Sequence, residues 1–488
     1  MASTIKVLFI AAEAEPFVKI GGLADVAGSL PLALRRLPAQ SASGATLDVR
    51  LVLPLHRVIR AESATLHTIA DFSVFRRGRN ITAQLFVLPL NGMPVYFVNG
   101  EPLSAAPSVY SNNPAQDREK FAFFSMAALE MTRYLKWQPD IIHANDWHTS
   151  LALYAMRSGH ADTSLARTRT VLTVHNLPYM GGDAAEALNS YGLLPLNEPS
   201  LPQWARTQPL PLGLWSADAI VPVSPTYAKE ILTPEFGCGL ESYLNSRSGS
   251  ITGILNGLDT ASWNPETDKV IAANYSIENI AARATNKAAL QKKLGLAEDP
   301  KVPILAMIGR IDMQKGMDIA LEALRQINEL PWQFIVLGTG ETELENRLRQ
   351  MQASYPNRVR AVIRFDAPLG RLIYAGSDMF LMPSRYEPCG LAQMISMRYG
   401  SVPVVRATGG LKDTVKEGKT GFMFSKAEAG SMAEALKRAF TAYANPESWA
   451  HYQRNGMKED FSWQNSACRY AETYQALLSD VKTPNPVS

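Results

Sequence analysis

Short apolar runs alternate with longer segments of helical periodicity along the first half of the chain. Continuous apolar runs of this length are typical of strands that are covered on both faces, and hence of a largely parallel sheet. Between two of them, residues 118–136 repeat apolar side chains at helical spacing, which predicts a crossover helix. The predicted strands are residues 5–11, 47–53, 84–88, 95–98, 140–143, 170–174 and 219–223.

The same alternation resumes after a loop-like stretch at residues 257–265. Its apolar runs are separated by helical segments such as residues 317–330. The chain has 488 residues, about three times the usual size of one domain. We therefore predict two doubly wound α/β domains in series, residues 1–257 and 258–460. The strands predicted in the second domain are residues 302–308, 334–337, 359–363, 379–382 and 402–405.

Composition excludes several classes of protein. Apolar residues make up 46% and charged residues 19% of the chain, and no apolar run approaches the roughly 18 residues of a membrane span. The net charge is +3 without a long Lys/Arg run, which argues against a nucleic-acid partner. Cys238, Cys389 and Cys468 form no paired motif, so neither a disulfide framework nor a cysteine zinc site is predicted. The N-terminus shows no secretion signal, so we expect a cytoplasmic protein. A plant or algal source would suggest a plastid-like location, but no transit peptide is seen.

Ligands of open α/β sheets bind beyond the carboxyl ends of the strands, so the residues that follow each strand are the candidates for chemistry. Lys19-Ile20-Gly21-Gly22-Leu23-Ala24-Asp25 follows the first strand and indicates a strand-to-helix turn. Its glycines would let a ligand approach backbone N–H groups, although a tight turn without a ligand fits equally well. The turn matches neither the P-loop nor the dinucleotide motif, so neither ATP hydrolysis nor NAD binding is predicted.

Two cations flank the start of a helix in the second half of the chain. Arg310 follows a predicted strand and Lys315 precedes the next helix, which outlines a diphosphate site. The alternative is a surface loop with ordinary salt bridges. The sequence has no Asp-x-Asp pair of the kind that holds a divalent ion on a nucleotide sugar. The two cations would therefore have to neutralise the leaving phosphates themselves.

Histidines end two more of the predicted strands. His175 and Asn176 close one strand, and His143 with residues 146–148 closes another. A histidine at this edge can contact a ligand, but a structural histidine is the commoner case. No pair of these side chains has the helical spacing of zinc ligands, so we predict no metal site.

The densest group of polar and small residues contains one carboxylate. Glu387 follows a buried strand within Pro383-Ser384-Arg385-Tyr386-Glu387-Pro388-Cys389-Gly390-Leu391, at the start of a predicted helix that continues to residue 400. It is either a site residue or merely a helix cap. The small-residue turn at 407–414 follows the next strand and is expected at the same edge of the sheet.

In order and spacing, these motifs resemble the bacterial glycogen synthases and plastid starch synthases, glycosyltransferase family 5, over nearly the whole chain. The most specific are Lys19-x-Gly21-Gly22-Leu23 and the run from Glu387 to Leu391. The other matching motifs are His143 to His148, Thr173-x-His175-Asn176, Val223-Ser224-Pro225-Thr226-Tyr227, Ile254-Leu255-Asn256-Gly257 and Arg310 with Gln314-Lys315-Gly316.

The resemblance implies an α/β GT-B fold, in which two Rossmann-like doubly wound domains face a deep cleft. Residues 1–257 would bind the acceptor glucan, residues 258–460 the nucleotide sugar, and residues 461–488 would return to the first domain as a helix. The implied activity is transfer of glucose from ADP-glucose to the non-reducing 4-OH end of an α-1,4-glucan, with retention of configuration and release of ADP. The resemblance implies no cofactor and no metal ion.

The resemblance also implies roles for individual residues. Glu387 would contact the transferred glucose, and the backbone carbonyl of His175 would face the positive charge that develops at the anomeric carbon. Lys19, Arg310 and Lys315 would hold the donor phosphates. No covalent nucleophile is implied, because the acceptor hydroxyl attacks the front face while the departing phosphate takes its proton. The other implied donor contacts are Gly22, Asp25, Asn256, Phe365, Tyr374, Cys389, Gly390 and Leu391. The implied acceptor contacts are Asp146, Trp147, His148 and Asn176.

Several positions depart from the family pattern, and they bear on donor selectivity. Phe365 stands where a tyrosine typically stacks on adenine, so the stacking face is kept and the hydroxyl is lost. The other departures are Ile20, Met180, Ala392 and Ile395. The alternatives are a GT-B transferase that uses UDP-glucose or a small acceptor, a GT-B nucleotide-sugar epimerase, and a catalytically silent glucan-binding regulator.

Overall fold

The computed structural model divides the chain into two compact units, Met1–Gly257 with Trp463–Ser488, and Leu258–Ser462. Both units are built on a sheet of mainly parallel strands, which confirms the predicted α/β class. The last part of the predicted return segment, residues 480–488, lies outside the described residues. The structure describes residues 4–42, 44–59, 66–159 and 163–479.

An eight-stranded sheet forms the centre of the first unit. Its strands are β1 Thr4–Ile10, β2 Thr46–Pro54, β3 His67–Arg76, β4 Arg79–Leu90, β5 Met93–Gly100, β6 Ile141–Asn145, β7 Arg169–Val174 and β8 Ala219–Pro222. Their order is β3-β4-β5-β2-β1-β6-β7-β8, and only β4 runs antiparallel to its neighbours. Because β1, β6 and β7 are adjacent and parallel, their carboxyl ends lie side by side.

The hairpin of β3 and β4 is the main departure from the predicted sheet. The sequence predicted only residues 84–88 as a strand in this region and missed β3. In β3, Phe72 and Val74 are buried whereas Ser73 and Phe75 are exposed. A strand at the edge of a sheet with one covered face has no continuous apolar run, so the criterion used for buried strands does not detect it.

Helices cover the sheet of the first unit and complete its core. Val7 and Phe9 of β1 are fully buried in one apolar cluster with Val26 and Leu30 of the first helix. The predicted crossover helix is present, but it begins and ends a few residues earlier than predicted. The helices are α1 Gly22–Arg35, α2 Glu101–Ser104, α3 Pro114–Glu130, α4 Asp146–Arg157, α5 Ala185–Ser190, α6 Pro209–Ser216, α7 Pro225–Glu230 and α8 Glu241–Ser246.

The second unit has a six-stranded, all-parallel sheet. Its strands are β9 Ile304–Ile308, β10 Gln333–Gly338, β11 Val359–Ile363, β12 Met379–Met382, β13 Val402–Arg406 and β14 Phe422–Phe424. Their order is β11-β10-β9-β12-β13-β14, so the direction of crossover reverses between β9 and β12. Its helices are α9 Arg283–Lys293, α10 Met317–Gln326, α11 Thr342–Ser354, α12 Ala367–Gly376, α13 Ala392–Arg398, α14 Gly409–Thr414, α15 Ala429–Tyr443 and α16 Pro446–Lys458.

The final helix, α17 Trp463–Ser479, follows the second unit in sequence but packs into the core of the first. His143 of β6 lies between the Tyr474 hydroxyl and the Thr173 hydroxyl, at 2.7 Å from each. Burial lowers the pKa of His143 to about 3. This histidine is therefore a neutral structural residue that joins α17 to the sheet, as the structural alternative predicted.

Candidate active site

A cavity of about 120 Å³ lies at the carboxyl edge of the second sheet, where β9 and β12 end. This is the point at which the crossover direction reverses, and ligands of open α/β sheets bind at such points. Five of the residues predicted from the sequence line the cavity. They are Arg310, Lys315, Glu387, Gly390 and Leu391.

Lys315 and Glu387 form the charged centre of this cavity. The Lys315 Nζ lies 2.9 and 2.6 Å from the two carboxylate oxygens of Glu387, and the Ser384 hydroxyl donates to the same carboxylate at 3.0 Å. Glu387 is only 5% exposed. The predicted helix start at this position is wrong, because α13 begins at Ala392 with Leu391 as its N-cap. Glu387 is therefore a buried carboxylate paired with the partly exposed Lys315, and not a helix cap.

Glycines bring the loops of this centre into close contact. Gly316 has a φ of +70°, and a Cβ atom there would lie 2.1 Å from the carbonyl oxygen of Pro383. Gly409 has a φ of +44°, and its Cβ would lie 1.9 Å from the carbonyl oxygen of Glu387. Only glycine permits both this backbone conformation and this approach. The small-residue turn predicted at 407–414 thus supports the backbone of Glu387.

Arg310 lies on the exposed side of the cavity. Its guanidinium is 2.8 Å from the Asp312 carboxylate and donates to the side-chain oxygen of Gln314 at 2.8 Å. More than half of the Arg310 side chain, 55%, is exposed. The alternative of an ordinary salt bridge thus describes how Arg310 is paired here.

The remaining donor residues predicted in this unit occupy different surroundings. Phe365 follows β11 and is 89% exposed, so one face of its ring is available to a ligand. Tyr374 is buried in α12, where its ring packs on Phe380 with centroids 5.1 Å apart. The Cys389 side chain is buried, and its carbonyl accepts a bond from Gln393 at 3.1 Å. None of these three side chains is among the described residues that line the cavity.

Arg385 organises the cavity, although the sequence did not predict it as a site residue. Its guanidinium makes two 2.8 Å bonds to the Asp318 carboxylate in the first turn of α10, and it donates to the Met313 carbonyl at 2.7 Å. The carbonyl of Arg385 accepts a bond from Arg406. These bonds tie the loop before α10, which carries Lys315 (the Lys315 loop), to the loop after β12, which carries Glu387 (the Glu387 loop). The Pro-Ser-Arg run was visible in the sequence. The contact of Arg385 with Asp318 was not, because the two residues lie 67 positions apart.

In the first unit, the turn that carries Lys19 has the predicted form. α1 begins at Gly22, and Gly21 is its N-cap. The Lys19 Nζ lies 2.6 Å from the Asp25 carboxylate and 3.1 Å from that of Glu15. A Cβ atom at Gly22 would meet no atom within 4 Å. The N-terminus of α1 is therefore open to a ligand.

Asp146 holds the loop that carries His175 and Asn176. It has a φ of +53° at the start of α4, and its buried carboxylate accepts the backbone N–H groups of His175 at 2.7 Å and Asn176 at 3.4 Å. Burial raises the pKa of Asp146 to about 7, against the opposing effect of these two bonds. The His175 Nε2 lies 3.0 Å from the side-chain oxygen of Asn145. Burial lowers the pKa of His175 to about 3, so its ring is neutral near pH 7.

Three of the predicted contact residues carry a buried polar atom without a hydrogen-bond partner in the described part of the chain. The atoms are His148 Nδ1, Asn176 Oδ1 and Asn256 Oδ1. Buried polar atoms are almost always paired in folded proteins. Trp147 packs beside His148 with ring centroids 4.3 Å apart. Each of these three atoms therefore has an unused capacity for a hydrogen bond.

Replacing Asp146 with asparagine is expected to flatten the pH dependence of stability. The aspartate pKa rises from 3.8 to about 7 on folding, so the folded state binds more protons than the unfolded state between these values. Asp146 therefore makes the wild type lose stability as the pH rises through this range. Between pH 5 and pH 8, the free energy of unfolding of the variant should fall by about 2 kcal/mol less than that of the wild type. Urea unfolding at both pH values measures the loss.

The control for this measurement is Asp71→Asn, which changes an exposed aspartate of β3 in the same unit. Its free energy of unfolding should equal that of the wild type at both pH values. Equal losses of stability in the wild type and the Asp146 variant would contradict the raised pKa of Asp146.

The described residues contain no group of three or more His, Cys, Asp or Glu side chains arranged to hold a metal ion. In that same part of the chain, no helix combines the length and the apolar character needed to cross a membrane.

Two α/β units, each with polar residues at the carboxyl edge of a mainly parallel sheet, are the architecture of the GT-B glycosyltransferases. A model of the starch synthase catalytic domain matches residues 6–246, and one of group 1 glycosyl transferases matches residues 287–456. The glycogen synthase of Syntrophotalea carbinolica is 40% identical over 487 residues, covering 97% of this chain and 99% of the relative. Glycogen synthase 2 of Geobacter sulfurreducens is 39% identical over 497 residues, covering 98% and 100%. The chain belongs to the family of glycogen and starch synthases.

Solved structures agree with this assignment. The catalytic domain of starch synthase IV from Arabidopsis thaliana, bound to ADP and acarbose, is 33% identical with a TM-score of 0.89, covering 98% of this chain and 100% of that one. Sucrose-phosphate synthase from Thermosynechococcus elongatus, at 18% identity and a TM-score of 0.61 over 98% and 100%, shares the fold. The fold class and family predicted from the sequence are confirmed, and the chain is a glucosyltransferase.

Proposed function

We propose that this chain transfers glucose from ADP-glucose to the non-reducing 4-OH end of an α-1,4-glucan, with retention of configuration and release of ADP. The observation that carries the proposal is the pair of cations, Arg310 and Lys315, beside Glu387 at the start of α10. A nucleotide sugar releases a diphosphate, whose charge must be neutralised as the bond to the sugar breaks. The two cations and the positive end of the α10 dipole supply this neutralisation without a cofactor or metal ion.

Glu387 is proposed to position the transferred glucose and to stabilise positive charge on it. Both carboxylate oxygens already bind Lys315, and Glu387 is the only acid among the described residues that line the cavity. A covalent retaining mechanism of the glycosidase type uses two carboxyl groups about 5 Å apart. Front-face attack by the acceptor hydroxyl, with the departing phosphate taking its proton, needs no second carboxylate. The arrangement therefore favours a mechanism without a covalent intermediate.

Adenine is the base that we propose for the donor. The exposed ring of Phe365 offers a stacking face in the unit that carries Lys315. The related starch synthase IV was solved with ADP bound, which supports the same nucleotide here. Phe365 lacks the hydroxyl of the usual tyrosine, which removes one polar contact. We therefore expect the preference for ADP-glucose over UDP-glucose to depend mainly on stacking.

The first unit is proposed to contact the glucan through Trp147, His148 and Asn176. The unpaired His148 Nδ1 and Asn176 Oδ1 are polar atoms of the kind that sugar hydroxyls can hydrogen-bond. The related starch synthase IV catalytic domain was solved with acarbose bound, which supports a glucan ligand here. Lys19 and Gly22, in contrast, are proposed to contact the phosphates of the donor. The Lys19 ammonium group and the N-terminus of α1 would make these contacts.

The proposal is tested by incubating the purified protein with glycogen and either ADP-glucose or UDP-glucose, and by following nucleotide release and chain extension. We expect release of ADP together with longer glucan chains. Activity with UDP-glucose alone would replace the donor that we propose. Absence of release from both donors would instead favour a catalytically silent glucan-binding protein.

Two further conditions in the same assay separate the remaining possibilities. Glucose or maltose in place of glycogen tests a small acceptor, and we expect much slower release with either sugar. Pretreatment with EDTA should leave the rate unchanged, because cations and backbone amides take the place of a metal ion. A rate that depends strictly on added Mg²⁺ would contradict the proposed neutralisation by Arg310 and Lys315.

A further inference from the structure

Glu13 is a buried carboxylate to which neither the sequence motifs nor the proposed reaction assigns a role. It lies three residues beyond the end of β1 and is 2% exposed. Its carboxylate accepts the backbone N–H groups of Ile20 and Gly21, the latter at 3.2 Å from each oxygen, and the Tyr110 hydroxyl at 3.2 Å. Burial raises its pKa, and these three bonds oppose the shift. Among the described residues, the hydrogen bonds to this buried carboxylate come from the turn that carries Lys19 and from one tyrosine.

The turn itself has little packing to hold it. Lys19, Ile20, Gly21 and Gly22 are all exposed, and Ile20 is exposed by 61%. The ion pairs of Lys19 are partly exposed, and such pairs contribute little to stability. Glycines give the segment more conformational freedom than other residues would. The bonds to Glu13 therefore restrain the backbone of the turn at Ile20 and Gly21.

The two N–H groups that bind Glu13 directly precede the open end of α1. Gly22 is the first residue of this helix, and its N–H has no partner within the helix. Because the backbone is fixed at Ile20 and Gly21, the Gly22 N–H and the Lys19 side chain project from the turn in a defined direction. Tyr110 extends the restraint, because its ring packs against His148 with centroids 5.0 Å apart. One carboxylate thus links the turn to a residue predicted to contact the glucan.

We propose that Glu13 is a positioning residue that preorganises the turn of Lys19 and Gly22 for the phosphates of the nucleotide sugar. This inference rests on the proposed function. Glu13 does not touch the substrate; it reduces the conformational freedom that the turn would otherwise lose on binding. Its contribution should therefore appear in reactions of the donor and not in binding of the glucan.

The test is Glu13→Gln, which keeps the size of the side chain but offers one acceptor oxygen and places an NH₂ donor against backbone donors. We expect kcat/KM for ADP-glucose to fall about 10- to 100-fold, because charge-assisted hydrogen bonds are lost. Glu13 reaches His148 only through the Tyr110 ring, which the variant keeps, so the KM for glycogen should stay within about twofold. In hydrogen exchange followed by mass spectrometry, a peptide that spans residues 14–24 should exchange faster than in the wild type.

Two companion variants make the outcome specific. Tyr110→Phe removes only one of the three bonds to Glu13 and keeps the ring, so it should show a smaller loss in the same direction. Glu101→Gln changes a carboxylate of the same unit that is 70% exposed and pairs with Arg76, and it should match the wild type. Wild-type donor kinetics together with unchanged exchange in Glu13→Gln would overturn the inference. An inactive wild type would instead refute the proposed function, and the exchange data would still report on the turn.

Discussion

Replacing Lys315 with alanine is expected to lower kcat by about 10²- to 10³-fold, or roughly 2.7 to 4 kcal/mol of transition-state stabilisation. Lys315 is the cation nearest to Glu387, at 2.6 Å, and it directly precedes the N-terminus of α10. In the proposed reaction, negative charge grows on the departing diphosphate beside this ammonium group. The expected loss lies in kcat, because the interaction strengthens as the charge develops. Steady-state kinetics with ADP-glucose and glycogen measure it.

The matched control is Lys437→Ala in the same unit. Lys437 lies on α15 and pairs with Glu434 at 2.9 Å, and the two side chains are 47% and 67% exposed. We expect its kcat to equal that of the wild type. Because Lys315→Ala also leaves the buried Glu387 without its cation, the thermal midpoint of each variant is measured alongside. A folded Lys315 variant with a nearly wild-type kcat would remove Lys315 from the mechanism.

Replacing Gly316 with alanine is expected to cause a large loss of stability together with a loss of activity. The new Cβ would lie 2.1 Å from the Pro383 carbonyl oxygen, so the Lys315 loop and the Glu387 loop must move apart. Forcing such a contact costs about 1–3 kcal/mol beyond the strain of the left-handed backbone. A shift of about 1 Å in reacting groups also lowers rates by up to roughly 10²-fold. Urea unfolding and the kcat of the folded variant measure the two effects.

Gly418→Ala separates the steric effect from backbone strain. Gly418 has the same φ of +70° as Gly316, but no atom lies within 4 Å of the position that its Cβ would take. Strain alone should destabilise this variant by about 1–2 kcal/mol, with kcat unchanged. Equal losses of stability and of activity in the two variants would contradict a role for the close approach of Gly316 to Pro383.

Residues that end strands were the part of the site most accessible from sequence. Arg310, Lys315 and Glu387 each follow an apolar run, and parallel strands bring such positions to one edge of a sheet. The structure places all three in one cavity. Tyr374 shows where motif matching stops, because a matched position does not reveal whether a ring faces a ligand or, as here, packs on Phe380.

Residues that act on the backbone of another segment could not be predicted in this way. Glu13 binds N–H groups seven and eight residues later, and Arg385 binds an acid 67 residues earlier. Neither partner follows from periodicity, because each contact depends on how a loop closes. The unpaired atoms of His148 and Asn256 are equally invisible in the sequence, since burial without a partner is a property of the packed interior.

The sequence by itself determined the two α/β domains, the family and most of the residues proposed to meet substrate, because strand-length apolar runs and the short motifs after them are local features. Only the tertiary structure decided that Glu387 is held in an ion pair and not in a helix cap, that His143 is structural, and that Glu13 restrains the Lys19 turn. Those outcomes depend on distances between segments far apart in the chain, and such distances are set by the packing of the whole unit.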